Sequence, residues 1–151
     1  MEIFYLDEEG ADMLVSVIAK CCPKLELLAV WINNLDKIIE LIKECKKLRG
    51  LVLQAIYYTN NLDVLFKVLC NDASNQLRKL QFAERWDITK EALTEFFECW
   101  KQNERIPLDL YINSYIFKDE YEDIIKKYQE MDVIRKFDKF VGTFNILDNW
   151  E

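Results

Sequence analysis

The side chains that could do chemistry in this 151-residue chain are five cysteines and several clusters of carboxylates, because histidine is absent. Without imidazole there can be no Ser-His-Asp or Cys-His arrangement and no histidine-containing zinc site, and the commonest general base is missing. The only glycines are Gly10, Gly50 and Gly142, so neither a G-x-G-x-x-G fingerprint nor a phosphate-binding loop can be written. Cys22, Cys45, Cys70 and Cys99 follow one another at 23, 25 and 29 residues, Cys21 adjoins Cys22, and no C-x-x-C occurs. On a repeating scaffold such positions form a ladder rather than a tetrahedral cage, so the cysteines are expected to pack as free thiols at helix ends. The acids of Asp7-Glu8-Glu9 and of Asp119-Glu120-Tyr121-Glu122-Asp123 fall where helices begin. There each carboxylate stabilises the helix dipole by about 0.3–1 kcal/mol, which accounts for its position without catalysis. The residues therefore predict no catalytic, cofactor-binding or metal site.

Those side chains are carried by a recurring element. An apolar quartet at i, i+3, i+4, i+7 appears as Ala11/Leu14/Val15/Ile18, Leu35/Ile38/Ile39/Ile42 and Leu62/Leu65/Phe66/Leu69, then as Thr89/Ala92/Leu93/Phe96 and Tyr121/Ile124/Ile125/Tyr128. This spacing puts four side chains on one helical stripe. A short apolar stretch follows each stripe: Leu25–Val30, Leu48–Leu53, Leu77–Phe82, Pro107–Ile112 and Ile134–Phe137. Each reads as a strand.

The first helix is expected from Asp7 to about Cys21, where Pro23 stops it. Asn33 or Asn34, Asn60 or Asn61, Asp87 or Thr89, and Asp119 are the expected starts of the others. Helix and strand alternating through short links make successive strands parallel. Aligned on Leu28, Leu51, Leu80, Leu108 and Phe137, the strands lie 23, 29, 28 and 29 residues apart. Near-constant spacing favours a right-handed solenoid of about five helix–strand repeats, with helices on one side and a parallel sheet on the concave side, over a doubly wound sheet.

Bulk composition agrees with one folded domain. Hydrophobic residues make up 51% of the chain, aromatics 13%, and Gly and Pro together number five. The repeats occupy about 7–138, leaving 139–151 as a C-terminal cap or tail. A net charge of −7 opposes nucleic-acid binding. No signal-peptide pattern opens the chain, and the longest uncharged run, Gly50 to Leu62, is too short to span a bilayer. Free thiols with no export signal predict a cytoplasmic or nuclear location and no membrane partner.

The strands resemble leucine-rich repeats, whose pattern is L-x-x-L-x-L-x-x-N/C. Leu25-x-x-Leu28-x-Val30-x-x-Asn33 matches throughout. Leu48-x-x-Leu51-x-Leu53 and Leu77-x-x-Leu80-x-Phe82 match the first six positions, and Leu108-x-Leu110-x-x-Asn113 the second half. Ile56 and Arg85 stand where the pattern has Asn or Cys. The junction Cys21-Cys22-Pro23-Lys24-Leu25, echoed by Glu44-Cys45-Lys46-Lys47-Leu48, resembles the C-P-x-L junction of repeats in fungal F-box and leucine-rich-repeat proteins. That resemblance implies a non-catalytic protein-binding module, the substrate-recognition part of a ubiquitin-ligase receptor. It implies a Skp-type adaptor as partner only if an F-box lies outside this chain.

In this pattern the positions between the leucines project onto the concave face. The expected protein-binding residues are therefore Leu27, Ala29, Trp31, Val52, Gln54, Lys79, Gln81, Asp109 and Tyr111. Leu27, Ala29, Trp31 and Val52 should form an exposed apolar patch, with Trp31 either an anchor for a partner or a cap on the N-terminal end. Tyr57, Tyr58 and Trp86, on strand-to-helix loops, could serve packing or binding. Two other functions remain open at this point. One is a doubly wound enzyme using Glu84, Arg85, Asp87 or Asn113 at the strand ends; the other is a purely structural or truncated repeat protein.

Overall fold

The computed structural model describes residues 2–6, 17, 18, 20–32, 35–55, 62–82, 86, 88–115 and 117–140. Six strands form one sheet: β1 (Glu2–Leu6), β2 (Leu25–Ile32), β3 (Gly50–Ala55), β4 (Lys79–Phe82), β5 (Leu108–Asn113) and β6 (Ile134–Phe140). Between them lie α1 (Leu35–Glu44), α2 (Leu62–Asn71), α3 (Lys90–Gln102) and α4 (Glu120–Glu130). Val17, Ile18, Lys20 and Cys21 are also helical, while most of the first expected helix lies outside the described residues.

Every strand pair is parallel, and the order across the sheet is β1-β2-β3-β4-β5-β6, the order of the chain. The sheet is therefore open. Consecutive helices pack on one another. They bury their stripes against Leu28, Val30, Leu51, Leu53, Leu80, Phe82, Leu110 and Ile112 in a single cluster, so they share one face of the sheet.

Local chemistry explains the helix limits. Thr89 is in extended conformation and its Oγ1 accepts a 3.1 Å bond from Ala92 N–H, making it the N-cap of α3. Asp119 occupies the equivalent place before α4 but makes no side-chain capping bond. At the other ends, α3 and α4 finish alike. Glu104 N–H donates to Lys101 O and Arg105 N–H to Trp100 O; Asp132 N–H donates to Gln129 O and Val133 N–H to Tyr128 O. This is the Schellman pattern. In a chain so poor in glycine, its left-handed residue is Glu104 (φ 51°) in one helix and Asp132 (φ 57°) in the other.

The core cluster is rich in aromatics. Phe66 stacks on Phe96 at 4.7 Å between centroids, and Phe97 meets Tyr128 at 5.0 Å. Trp86, 3% exposed, donates from Nε1 to Leu53 O at 3.1 Å, so it is a packing residue rather than an interface anchor.

Arg105 fastens one coil to the next. Its guanidinium lies 4.9 Å over the Trp100 ring and donates to the carbonyls of Cys70, Ala73 and Ser74, at the end of α2 and in the turn that follows.

Four expectations need correcting. Cys70 and Cys99 are not free thiols: they form a disulfide between α2 and α3 with Cα atoms 6.2 Å apart, leaving Cys21, Cys22 and Cys45 free. Positions one coil apart, expected to form a ladder of free thiols, are neighbours within bonding reach. Second, the acidic N-terminal segment supplies a sixth strand, β1, so β2 is not the sheet edge. Third, β6 continues through Asp138, Lys139 and Phe140, residues expected to open the tail or lie next to it. Fourth, the sheet register matches Leu80 to Leu110 and not to Leu108, giving spacings of 23, 29, 30 and 27 residues. The alternation of Pro107–Ile112 fits either leucine, and a shift of two residues keeps the same face inward.

Candidate functional site

Alternation along each strand leaves a second sheet face, turned away from the helices. Register aligns its side chains in rows. Leu27, Gly50, Lys79, Asp109 and Lys136 make one row, and Ala29, Val52, Gln81, Tyr111 and Asp138 the next. Trp31 stands opposite Gln54 through the backbone, its side chain lying outside the described residues. The eight expected binding residues whose side chains are described thus belong to one face. Asp109, however, is the neighbour of Lys79, and Tyr111 that of Gln81.

The electrostatic centre of this face is Asp109, which is 1% exposed. Its Oδ1 accepts a 2.8 Å bond from Arg135 Nε and its Oδ2 accepts from Arg135 Nη2, a forked ion pair. The β5–β6 register shifts at this point, where Leu108 pairs with Ile134 and Asp109 with Lys136. Arg135 is the extra residue, and the irregularity aims it at the carboxylate. Lys79, 4% exposed, lies beside Asp109 in the row. Burial pulls the Lys79 pKa below its ordinary value; Asp109 opposes that shift, and the positive charges of Arg78, Arg135 and Lys136 add to it. Lys136 places its ammonium 5.7 Å over the Tyr111 ring.

Amides complete the face. Gln54 and Asn113 are 1% and 0% exposed. Asn113 Oδ1 accepts from Tyr115 N–H at 2.9 Å, but among the described residues Asn113 Nδ2 and Gln54 Oε1 have no hydrogen-bond partner.

Exposure departs most from expectation. Leu27, Ala29 and Val52, read as an open apolar patch, are each 0% exposed, and Gln54, Lys79, Gln81, Asp109 and Tyr111 are buried as well. Strand alternation establishes which way a side chain points; whether another layer lies over it is a separate matter. Sequence reasoning also missed Arg135. Its signal was present: Ile134 and Phe137 are both apolar at a spacing of three, which a regular strand cannot turn to the same face without an added residue.

Asp109 and Arg135 neutralise each other, and no nucleophile and base face one another among the described residues. No group of three metal-ligating side chains occurs among them either. Glu84, Arg85 and Asp87, named for a doubly wound enzyme, and Tyr57 and Tyr58 at the rim, lie outside the described residues. The sequential strand order contains no reversal, which is the feature that opens a ligand crevice in doubly wound sheets.

Burial pushes the Cys45 thiol up to about 11, with Cys22 and Glu44 adding to the effect, so this free cysteine is a poor nucleophile at neutral pH. Two of the clefts among the described residues lie on the helix side. One, of about 610 Å³, is polar and runs past Lys43, Lys46, Asp72 and Ser74. The other, of about 260 Å³, is lined by Phe66, Ala92, Phe96 and the half-buried Cys99 between α2 and α3. Among the described residues no helix is long and apolar enough to cross a membrane.

The chain matches no protein-family model, no curated protein and no solved structure.

Proposed function

We propose that this chain is a protein-interaction module built as a right-handed leucine-rich-repeat solenoid, and that it binds a protein partner across the second face of its sheet. Of the settings compatible with that role, the substrate-recognition part of an F-box-type ubiquitin-ligase receptor fits the strand pattern best. Docking of a Skp-type adaptor would then fall to an F-box outside these residues. The observation that carries the reading is the sequential order of parallel strands with helices packed on one another along one side. Crossovers between parallel strands are right-handed almost without exception, which supplies the handedness. Supporting it further, the second face mixes aromatic, amide and charged side chains in rows. Such surfaces hold an extended polypeptide through a few aromatic and arginine anchors.

The test uses the full chain, immobilised and exposed to a cell extract, with bound proteins quantified by mass spectrometry against Trp31→Ala and Tyr111→Ala variants. The expected result is at least a tenfold loss of one and the same specific partner in Tyr111→Ala, with a loss in Trp31→Ala as well. Unchanged capture of every specific partner by both variants overturns the assignment of the binding face.

A further inference from the structure

Positive charge gathers at one place in a chain whose net charge is −7. Where the strands begin, backbone bonds set Glu26, Arg49 and Arg78 in line. Arg49 N–H donates to Glu26 O at 2.7 Å, and Arg78 N–H to Arg49 O at 3.0 Å. Arg78 O in turn accepts from Asp109 N–H at 2.6 Å. Lys79, Asp109 and Lys136 stand beside them on adjacent strands, with Arg135 at the bulge. Among the described residues, Asp109 is the one carboxylate whose charge bears on Lys79, against the three cations Arg78, Arg135 and Lys136.

Neutralisation at this rim is incomplete. Arg135 engages Asp109 through the forked pair, and Arg49 engages Glu26 at 3.4 Å. Arg78 and Lys136 remain in excess, and the Nε of Arg78 is buried with no hydrogen-bond partner among the described residues. Basic residues near helix C-termini answer the helix dipole, but Lys79 and Lys136 belong to the sheet face turned away from the helices. Part of the negative charge lies at the other end of the molecule. Each of α1 to α4 carries an acid in its first turn. Those turns follow the strand exits, because every helix runs back from one strand to the entry of the next.

The rim is also reachable. Arg135 and Arg49 expose 58% and 33% of their side chains, and Lys136 is exposed. Gln54, Gln81 and Asn113, farther along the strands, are buried.

We infer that this rim receives an acidic, extended stretch of the protein partner, with Arg49, Arg78, Arg135 and Lys136 as its contacts. The inference rests on the proposed function for the binding of a protein, and adds the chemistry that is recognised. A guanidinium meets a carboxylate through two parallel bonds. The half-exposed Glu26–Arg49 pair is worth at most about 1 kcal/mol, so an incoming carboxylate can take the place of Glu26. From β3 to β6 is three strand spacings, about 14 Å. Carboxylates at alternate positions of an extended segment lie about 6.7 Å apart, so three of them within about five residues cover that span. A nucleic acid fits less well. Glu26 and Asp109 interrupt the cations, and the net charge opposes a long run of phosphates.

Fluorescence anisotropy on the full chain tests this with labelled octaglutamate, octaglutamine and an eight-nucleotide oligothymidine. Salt is held at about 0.1 M, where charges beyond about 10 Å are screened. Octaglutamate is expected to bind at least tenfold more tightly than octaglutamine. Arg78→Gln and Lys136→Gln should each weaken it at least threefold, with far-UV circular dichroism unchanged, whereas Lys101→Gln on α3 should alter it less than twofold. Carbodiimide coupling of octaglutamate to the unsubstituted chain, mapped by mass spectrometry, should place the new amide on Lys136 and not on Lys101. No octaglutamate binding, binding indifferent to both rim substitutions, or coupling confined to lysines outside the rim overturns the inference. Oligothymidine bound as tightly as octaglutamate overturns the choice of an acidic protein segment. A partner lost in Tyr111→Ala while octaglutamate stays unbound sinks this inference alone. Octaglutamate bound at the rim while Tyr111→Ala and Trp31→Ala change no capture sinks the aromatic binding face alone.

Discussion

Replacing Asp109 by Asn tests the charge cluster in a way that can be worked through beforehand. The substitution keeps the shape of the side chain and removes the negative charge. The Arg135 end of the pair is 58% exposed, so losing that attraction costs at most about 1 kcal/mol. The larger effect is on Lys79, left 4% exposed with Arg78, Arg135 and Lys136 nearby and the opposing carboxylate gone. Its penalty has a ceiling, since the ammonium can shed its proton. That escape costs about 1.36 kcal/mol per unit between the working pH and an unfolded pKa of about 10.4, hence about 4.6 kcal/mol at pH 7 and about 1.9 at pH 9.

Relief from burying the Asp109 charge itself offsets part of this, and the expected net loss is roughly 2–3 kcal/mol at pH 7. The pH dependence has a definite sign. Lys79 has a folded pKa below its unfolded value, so between the two the unfolded state binds more protons and stability rises with pH. The cost of Asp109→Asn should therefore be at least about 1 kcal/mol smaller at pH 9 than at pH 7. Urea unfolding followed by tryptophan fluorescence, with the disulfide intact, measures both. Adding Lys79→Met should return at least half of the loss. The reasoning fails if Asp109→Asn costs under about 0.5 kcal/mol at pH 7, if the cost is the same at both pH values, or if Lys79→Met brings no relief.

Arg105→Ala removes a charged donor from three carbonyls and should cost about 2–3 kcal/mol, with faster amide exchange in the last turn of α2 as its local signature. Arg105→Lys should recover less than half of this, because a single ammonium cannot span the same fork. Thiol titration of the denatured, unreduced protein should count three cysteines, and five after reduction. Because the bridge closes a loop of 29 residues, its reduction should lower stability by about 3–4 kcal/mol in equilibrium unfolding. Five titratable thiols without reductant would contradict the bridge.

Much of this molecule was legible in its amino-acid order. The quartet Tyr121/Ile124/Ile125/Tyr128 specified the buried stripe of α4 in full, and of the two expected starts of α3, Asp87 or Thr89, the second is the cap. Strand alternation assigned Gln54, Lys79, Gln81, Asp109 and Tyr111 to one face together. These are consequences of local periodicity, which a chain carries within a window of about ten residues. Three features depend on what the neighbouring coil contributes. They are the pairing of Asp109 with Lys79 rather than Gln81, the reach of Arg135 through the bulge, and the Cys70–Cys99 bond. Sequence settled the direction in which each side chain points, because backbone geometry alone dictates it. Register and cross-linking were decided only by tertiary structure, because each is a relation between residues more than twenty positions apart and no local period encodes it.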